Sequence, residues 1–265
     1  MPGRSYRGDP LTPEEREVFE QDLLAFSDRE LDLLGDVRYL DVLYAGGASP
    51  LWLEGLSQRI GEGGSLTALD LDAERIREGR ETLRDADLAA PVRLVAGDIF
   101  EPPFEPRAFD LVYSAGILHE LDVRERAAGD ALEALISVTR PGGRIATSDF
   151  VDSVPAVQLE DEKVEADLAR ESSGAELYGI GPPERLVTLH ESSLDDVQWH
   201  LSPPHNVRYL DKIVLAEEEP ADLSHLSAET QERFHGRRRA LLERVRREGY
   251  TRPATLYVEG LVAGG

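Results

Sequence analysis

The sequence predicts an α/β protein built on a doubly wound, mainly parallel β-sheet. Three observations carry that expectation. Short apolar runs of strand length alternate regularly with amphipathic stretches of helix length. The first run, Leu40 to Ala45, closes on a glycine pair, Gly46-Gly47, followed by Pro50, which suits the first turn of a helix because that turn needs no N–H there. The next two runs each close on an aspartate, Asp70 and Asp98. Strand, glycine turn and helix open a nucleotide-binding βαβ unit.

Taken in order, Thr12-Pro13-Glu14-Glu15 starts a helix: a capping hydroxyl, proline at the first position and acids in the first turn. Leu23, Leu24, Leu31, Leu33 and Leu34 extend one or two amphipathic helices to about Leu34, behind a loose arm over 1–11. These helices either cover a sheet edge or close over a ligand. The first strand spans about Tyr39–Ala45, and Trp52, Leu53, Leu56 and Ile60 give the next helix its apolar face. Ser65–Leu69 is the second strand and Glu74–Leu83 a polar helix. Val92–Ala96 is the third strand, Phe109–Ser114 the fourth, Ala128–Thr139 a helix, Arg140-Pro141-Gly142-Gly143 a turn and Arg144–Ser148 the fifth strand. The alternation then breaks. Residues 151–206 carry helices near Gln158–Ser172 and Glu184–His190 and are expected to form a cap. A sixth strand is expected at Val207–Ala216, an exposed loop at Glu217-Glu218-Glu219-Pro220, a helix from Ser227 to Glu248 and a last strand at Thr255–Val262. The expected division is an N-terminal arm and helices over 1–35 and one domain over 36–265, with 151–206 as its substrate-binding insertion.

Composition narrows the function. The 265 residues contain no cysteine, which excludes disulfides, thiolate zinc sites and cysteine nucleophiles. No apolar run reaches membrane-spanning length and the first residues resemble no secretory signal, so a cytoplasmic protein with no membrane partner is expected. A net charge of −23 argues against nucleic acid as a partner, because an acidic surface repels phosphate. The arginines Arg237, Arg238, Arg239, Arg244, Arg246 and Arg247 then read as a solvated helix face bridged to acids. No cluster has clear metal-ligand spacing, so no metal is expected.

Ligands of open α/β sheets bind beyond the carboxyl ends of the strands. Asp70 follows Gly46 by 24 residues, close to the spacing of a carboxylate that accepts from ribose hydroxyls. Asp98 stands one strand further on, where it can accept from an exocyclic amine, with Ile99 beside it to pack on a ring.

At these residues the chain resembles the class I S-adenosylmethionine-dependent methyltransferases. The matching pieces are LYAGGASP, LTALDLD, VAGDIFEPPF, FDLVYSAGILHEL and RPGGRIATSDF, over about Tyr39 to Phe150. The resemblance implies a seven-stranded, Rossmann-like methyltransferase fold in which Thr255–Val262 is an antiparallel insert beside the sixth strand. It implies S-adenosyl-L-methionine as cofactor, held by Ala45, Gly46, Gly47, Ala48, Asp70, Leu71, Asp98, Ile99, Ser114 and Ala115. The family usually has an acid two residues before the first loop glycine. Tyr44 stands there, Asp41 is the nearest acid, and Ala48 and Pro50 occupy places where glycine is common.

The expected reaction moves a methyl group to oxygen, nitrogen or carbon of a small organic molecule. Such a displacement needs alignment of the partners and, for some acceptors, removal of a proton. His119, after the fourth strand, and Asp149, after the fifth, are the catalytic candidates, with Glu120, His190, His200, His205 and an aromatic wall at Trp199 as further pocket candidates. Two rival readings remain open. One is a homologue that keeps the ligand or only the fold without methyl transfer, and the other is an NAD(P)-dependent oxidoreductase. The acceptor and the oligomeric state, a homodimer included, are not readable from the chain.

Overall fold

A computed structural model describes residues 10–124, 128–216 and 223–264. Most of the expected N-terminal arm, and the acidic loop at Glu217-Glu218-Glu219-Pro220, lie outside the described residues. Helix α1 (Pro13–Asp32) starts at a capping box: the Thr12 hydroxyl accepts from the Glu15 N–H at 3.3 Å and the Glu15 carboxylate accepts from the Thr12 N–H at 3.1 Å. Strand β1 (Asp41–Ala45) leads through the glycine pair into α2 (Pro50–Ile60), with Pro50 in its first turn. Next come β2 (Ser65–Asp70) and α3 (Ala73–Thr82), whose N-terminus is capped by the Asp72 carboxylate. Strands β3 (Val92–Ala96) and β4 (Phe109–Ala115), α4 (Ala128–Val138) and β5 (Thr139–Val151) complete the alternating part. After β5 stand α5 (Val157–Ser173), α6 (Pro183–Glu191), β6 (Asp195–Ser202), α7 (Leu210–Ala216), α8 (Ala228–Glu248) and β7 (Ala254–Leu261).

The seven strands form one sheet in the order β3-β2-β1-β4-β5-β7-β6. Strands β1 to β5 pair in parallel, and β7 runs antiparallel between β5 and β6. The expected reversed final strand is therefore present beside the sixth. Strand order reverses between β1 and β4, which opens a crevice at their carboxyl ends.

Alternation along β1 sorts its side chains to two cores. Val42 and Tyr44 pack on one face with Leu53, Leu56 and Ile60 of α2 and with Leu31 and Leu34 from the end of α1. Leu43 and Ala45 pack on the other with Leu132, Leu135 and Val138 of α4. Burying each such leucine contributes about 1.5–3 kcal/mol.

Two expectations at the level of elements are corrected. No strand occupies Val207–Ala216: residues 210–216 are α7, and the sixth strand is Asp195–Ser202, inside the stretch 151–206. A short apolar run has no decisive period, and Leu210, Ile213 and Val214 also fit helical spacing. Val214 is held in a core with Val157, Leu241 and Val245, contacts that only a helix packed on α8 makes. β6 is exposed along most of its length, so it lacks the apolar signature of a buried strand. The second correction concerns Arg140–Gly143, which continues within β5 rather than standing as a separate turn, with Gly142 at φ +73° bending it.

Candidate cofactor and acceptor site

The crevice at the carboxyl ends of β1, β2, β3 and β4 has two adjoining lobes. One, of about 340 Å³, is lined by Gly46, Asp70, Leu71, Asp98, Ile99 and Ile117, among others. The second, of about 540 Å³, is lined by Tyr44, Gly46, Gly47, Ala48, Trp52 and Ala115, among others, and shares Gly46, Asp70, Arg75, Ile117 and Glu120 with the first. A wider groove of about 730 Å³ opens at the other end of the strands beside Asp41 and Ser65, with neither Asp70 nor Asp98 in it.

The glycine turn is tied down at its start. The N–H groups of Gly46 and Gly47 donate to the Leu69 carbonyl at 2.7 and 3.1 Å, which locks β1's end to β2's end. Gly46 has φ +84°, and a methyl group there would meet Ile117 Cγ1 at 2.6 Å. Glycine is required at this position for both reasons. Ile117 lies against the turn and marks the boundary of the two lobes.

Asp70 is the most informative residue of the crevice. It is 6% exposed. Its Oδ1 accepts from the Asp72 N–H at 2.8 Å, while Oδ2 is buried without a hydrogen-bond partner. A buried carboxylate oxygen without a donor is costly. A ribose hydroxyl supplies that donor, so the residues fit an adenosyl group. Asp98 accepts from the Phe100 N–H at 2.9 Å, which sets its side chain at the mouth of the same lobe. Leu71 is 76% exposed at the rim and Ile99 lies buried within it, so two apolar side chains face the lobe.

Eight of the ten expected cofactor residues line the crevice. Ala45 and Ser114 are buried and do not line it, Ala45 packing in the core with Leu43 and Leu132. Tyr44 fills the place of the family's acid. Its ring lies under Gly47, stacked between Trp52 and Tyr113 at centroid distances of 6.3 and 5.9 Å. Burial, and then the charge of Asp70, push its phenol up, so it stays a neutral hydroxyl. Asp41 sits at the opposite end of β1, bonded to Ser65 and Arg140. Trp52, Arg75, Ile117 and Glu120 line the crevice without having been expected to hold the cofactor. Ile117 and Glu120 follow the fourth strand within FDLVYSAGILHEL, and that position was the available signal.

His119 and Asp149, 30 residues apart in sequence, form one buried pair with Nδ1 to Oδ1 at 2.5 Å. Asp149 also accepts from the N–H groups of Leu118 at 2.7 Å and His119 at 3.3 Å, so it pins the short helical turn Leu118–Glu120 to β5. Burial works against a charged imidazole, but the Asp149 carboxylate outweighs it together with its hydrogen bond, and the pKa of His119 rises to about 9. The ring is therefore a cation at neutral pH. It lines a void of about 10 Å³ with Phe150, Tyr178 and Arg185, beside the crevice rather than in it. The other histidines stand apart. His190 is buried against Thr147 and the Leu186 carbonyl, His205 bonds to the Asp22 carbonyl, and His200 is exposed on β6. Trp199 is 57% exposed on that edge strand and lines neither lobe of the crevice. Among the described residues there is no cluster of three or more metal-ligating side chains.

Sheet order and crevice together define the class I S-adenosylmethionine-dependent methyltransferase fold. Residues 42–143 match the family model described as "Methyltransferase domain". Among similar proteins is the ubiquinone/menaquinone biosynthesis C-methyltransferase UbiE of Idiomarina loihiensis, 31% identical over 142 residues, which are 51% of this chain and 55% of that protein. UbiE of Azotobacter vinelandii is 34% identical over 113 residues, 43% of this chain and 42% of that one. The chain thus spans about half the length of these relatives. Similar in fold is the solved structure of geranyl diphosphate C-methyltransferase from Streptomyces coelicolor A3(2), with TM-score 0.57, 16% identity, and 98% and 90% of the two chains covered. So is the [4+2]-cyclase SpnF, with TM-score 0.56, 15% identity, and 100% and 89% covered.

Proposed function

We propose that this protein is an S-adenosylmethionine-dependent methyltransferase acting on oxygen, nitrogen or carbon of a small organic molecule. The observation that carries the reading is the buried, unpartnered Oδ2 of Asp70 in a crevice that also holds Asp98, Leu71 and Ile99. Asp70 would hold the ribose hydroxyls and Asp98 the adenine amine, with Leu71 and Ile99 against the ring faces. Gly46, Gly47, Ala48 and Ala115 would face the methionyl part. When bound, the cofactor supplies a sulfonium methyl carbon open to in-line attack.

The chain's own contribution is alignment. Asp149 fixes the imidazole of His119 and the turn that carries it, and so sets Ile117 and Glu120 at the crevice. A histidine that is protonated at neutral pH donates and does not accept. We assign His119, held by Asp149 beside the crevice, as a positioning residue that fixes the turn carrying Ile117 and Glu120, and not as a resting general base. Cytoplasmic location and a small-molecule acceptor belong to the same reading. The homologues named C-methyltransferases favour carbon as the atom methylated.

Calorimetric titration with S-adenosylmethionine tests the reading. Wild-type protein is expected to bind it, and Asp70→Asn to weaken binding roughly 10- to 100-fold, as for loss of a charged hydrogen-bond acceptor. Absence of binding to the wild type would sink the proposal. A second reading rests on Tyr44 in the acid's place and on Ile117 against Gly46: a homologue that binds the cofactor and does not methylate. Tight binding of S-adenosylmethionine with no methyl transfer to any of a broad panel of phenols, amines and enolisable carbonyl compounds would favour it.

A further inference from the structure

Behind the Trp52 wall of the crevice, across Phe26, lies a cation that the proposed reading does not use. Arg252 precedes β7, whose N-terminal end lies beside the carboxyl end of β5 because the two strands run antiparallel. Its guanidinium sits between two phenyl rings, with Cζ 4.5 Å from the centroid of Phe26 and 5.0 Å from that of Phe150. Ring contacts are its only partners: no hydrogen bond and no ion pair of Arg252 occurs among the described residues.

Its burial sets this arginine apart. Several other arginines of this acidic chain that are partly or fully buried are paired with a carboxylate: Arg29 with Glu30, Arg144 with Glu259, Arg238 with Asp161. Ring faces compensate a desolvated cation only in part. Burial, with Arg29 nearby, pulls the pKa of Arg252 down to about 10, so it remains charged at neutral pH. The side chain is also held ready. Pro253 restricts the backbone of Arg252 to extended conformations. The preceding Thr251 is tied to α5 through its hydroxyl, which accepts from the Val157 N–H at 2.8 Å, and through its carbonyl, which accepts from the Gln158 N–H at 3.1 Å.

Its position joins the two parts of the site. Phe26 meets Trp52, a wall of the second lobe, edge-on at 6.2 Å, and Phe150 meets His119 at 6.0 Å. We infer that Arg252, between Phe26 and Phe150, is the binding residue for a carboxylate on the methyl acceptor, whose apolar or aromatic body lies along Trp52 and Phe26. A planar guanidinium suits a carboxylate because it donates to both oxygens in parallel. An anionic ligand also needs a local cation here, since the molecule as a whole repels it. The inference rests on the proposed methyltransferase reading for the word acceptor, while the anion site itself is testable without it.

The test uses matched probes on the full chain, with and without S-adenosylhomocysteine: phenylacetate against phenylacetamide, and hexanoate against hexanamide, read by calorimetry or ligand-observed NMR. Wild-type protein is expected to prefer each carboxylate over its amide by about 10-fold or more. Arg252→Gln should remove that preference and leave S-adenosylhomocysteine affinity within about 2-fold. Arg252→Lys, which keeps charge without the fork, should retain part of it. Arg247→Gln, on the exposed end of α8, should change nothing. Equal binding of acid and amide to the wild type, no binding of either acid, or a preference that survives Arg252→Gln would overturn the inference. Parallel loss of S-adenosylhomocysteine binding in Arg252→Gln would overturn it too, by assigning Arg252 to the cofactor's own carboxylate. If the wild type prefers the acids and binds no S-adenosylhomocysteine, the anion site stands and the methyltransferase reading fails.

Discussion

His119 and Asp149 illustrate how one residue pair can link stability to pH. The folded pKa of His119, about 9, lies above the ordinary histidine value of 6.5. A raised histidine pKa stabilises the folded state fully below the unfolded value, and the gain is lost as pH climbs through the folded value. Stability from this pair is therefore present below about pH 6.5 and disappears towards pH 9. Urea unfolding of the wild type should show roughly 1–3 kcal/mol lost across that window, and His119→Gln should flatten the slope. An equal slope in the variant would place the titration elsewhere. The pair was legible in part. His119 could be marked as following β4, whereas Asp149, expected just after the fifth strand, lies within β5, and nothing in the sequence states that β4 and β5 are neighbours in the register that sets Nδ1 against Oδ1.

At the scale of elements, α1 docks against the end of β5. Its Glu30 is fully buried, accepts from the Ser148 hydroxyl at 2.5 Å and pairs with Arg29 at 2.9 Å. Through these contacts the helix lies against the end of β5 and sets Phe26 beside Trp52. Removing one partner of a buried polar cluster leaves the others unsatisfied. Glu30→Ala should cost about 1–3 kcal/mol by urea unfolding, discounted because Arg29 is partly exposed. It should also weaken S-adenosylhomocysteine binding if α1 holds Trp52 in place. Unchanged stability would mean that α1 docks through its leucines alone. The capping box of α1 could be read from Thr12 and Glu15, since a cap is a local interaction. The docking of Glu30 on Ser148 spans 118 residues of sequence and leaves no local trace.

For the whole molecule, charge is the dominant feature. A net −23 on 265 residues means that long-range repulsion opposes compaction. Many of the arginines relieve it locally. On α8, Arg237 pairs with Asp167, Arg238 with the fully buried Asp161, and Arg244 with Glu160 and Glu248. That face meets α5 and is not a free basic patch. Salt screens the remaining repulsion within about 10 Å at 0.1 M. Raising sodium chloride from about 20 mM to about 500 mM should therefore raise Tm by about 2–4 °C, equivalent to roughly 1 kcal/mol. A fall in Tm would mean that the ion pairs contribute more than the repulsion opposes.

The sequence by itself determined what local chemistry can specify: the alternation of elements, the helix starts at Thr12, Pro50 and Ser227, the glycine turn, and the aspartates that end two strands. These follow from side-chain period, capping and backbone freedom, all properties of neighbouring residues. Only the tertiary structure decided that Asp195–Ser202 and not Val207–Ala216 is the sixth strand, because an exposed edge strand has no apolar signature and a short apolar run has no decisive period. It alone also left Asp70 Oδ2 without a donor and set Arg252 between Phe26 and Phe150. Both depend on contacts between segments far apart in the chain, which no local pattern encodes.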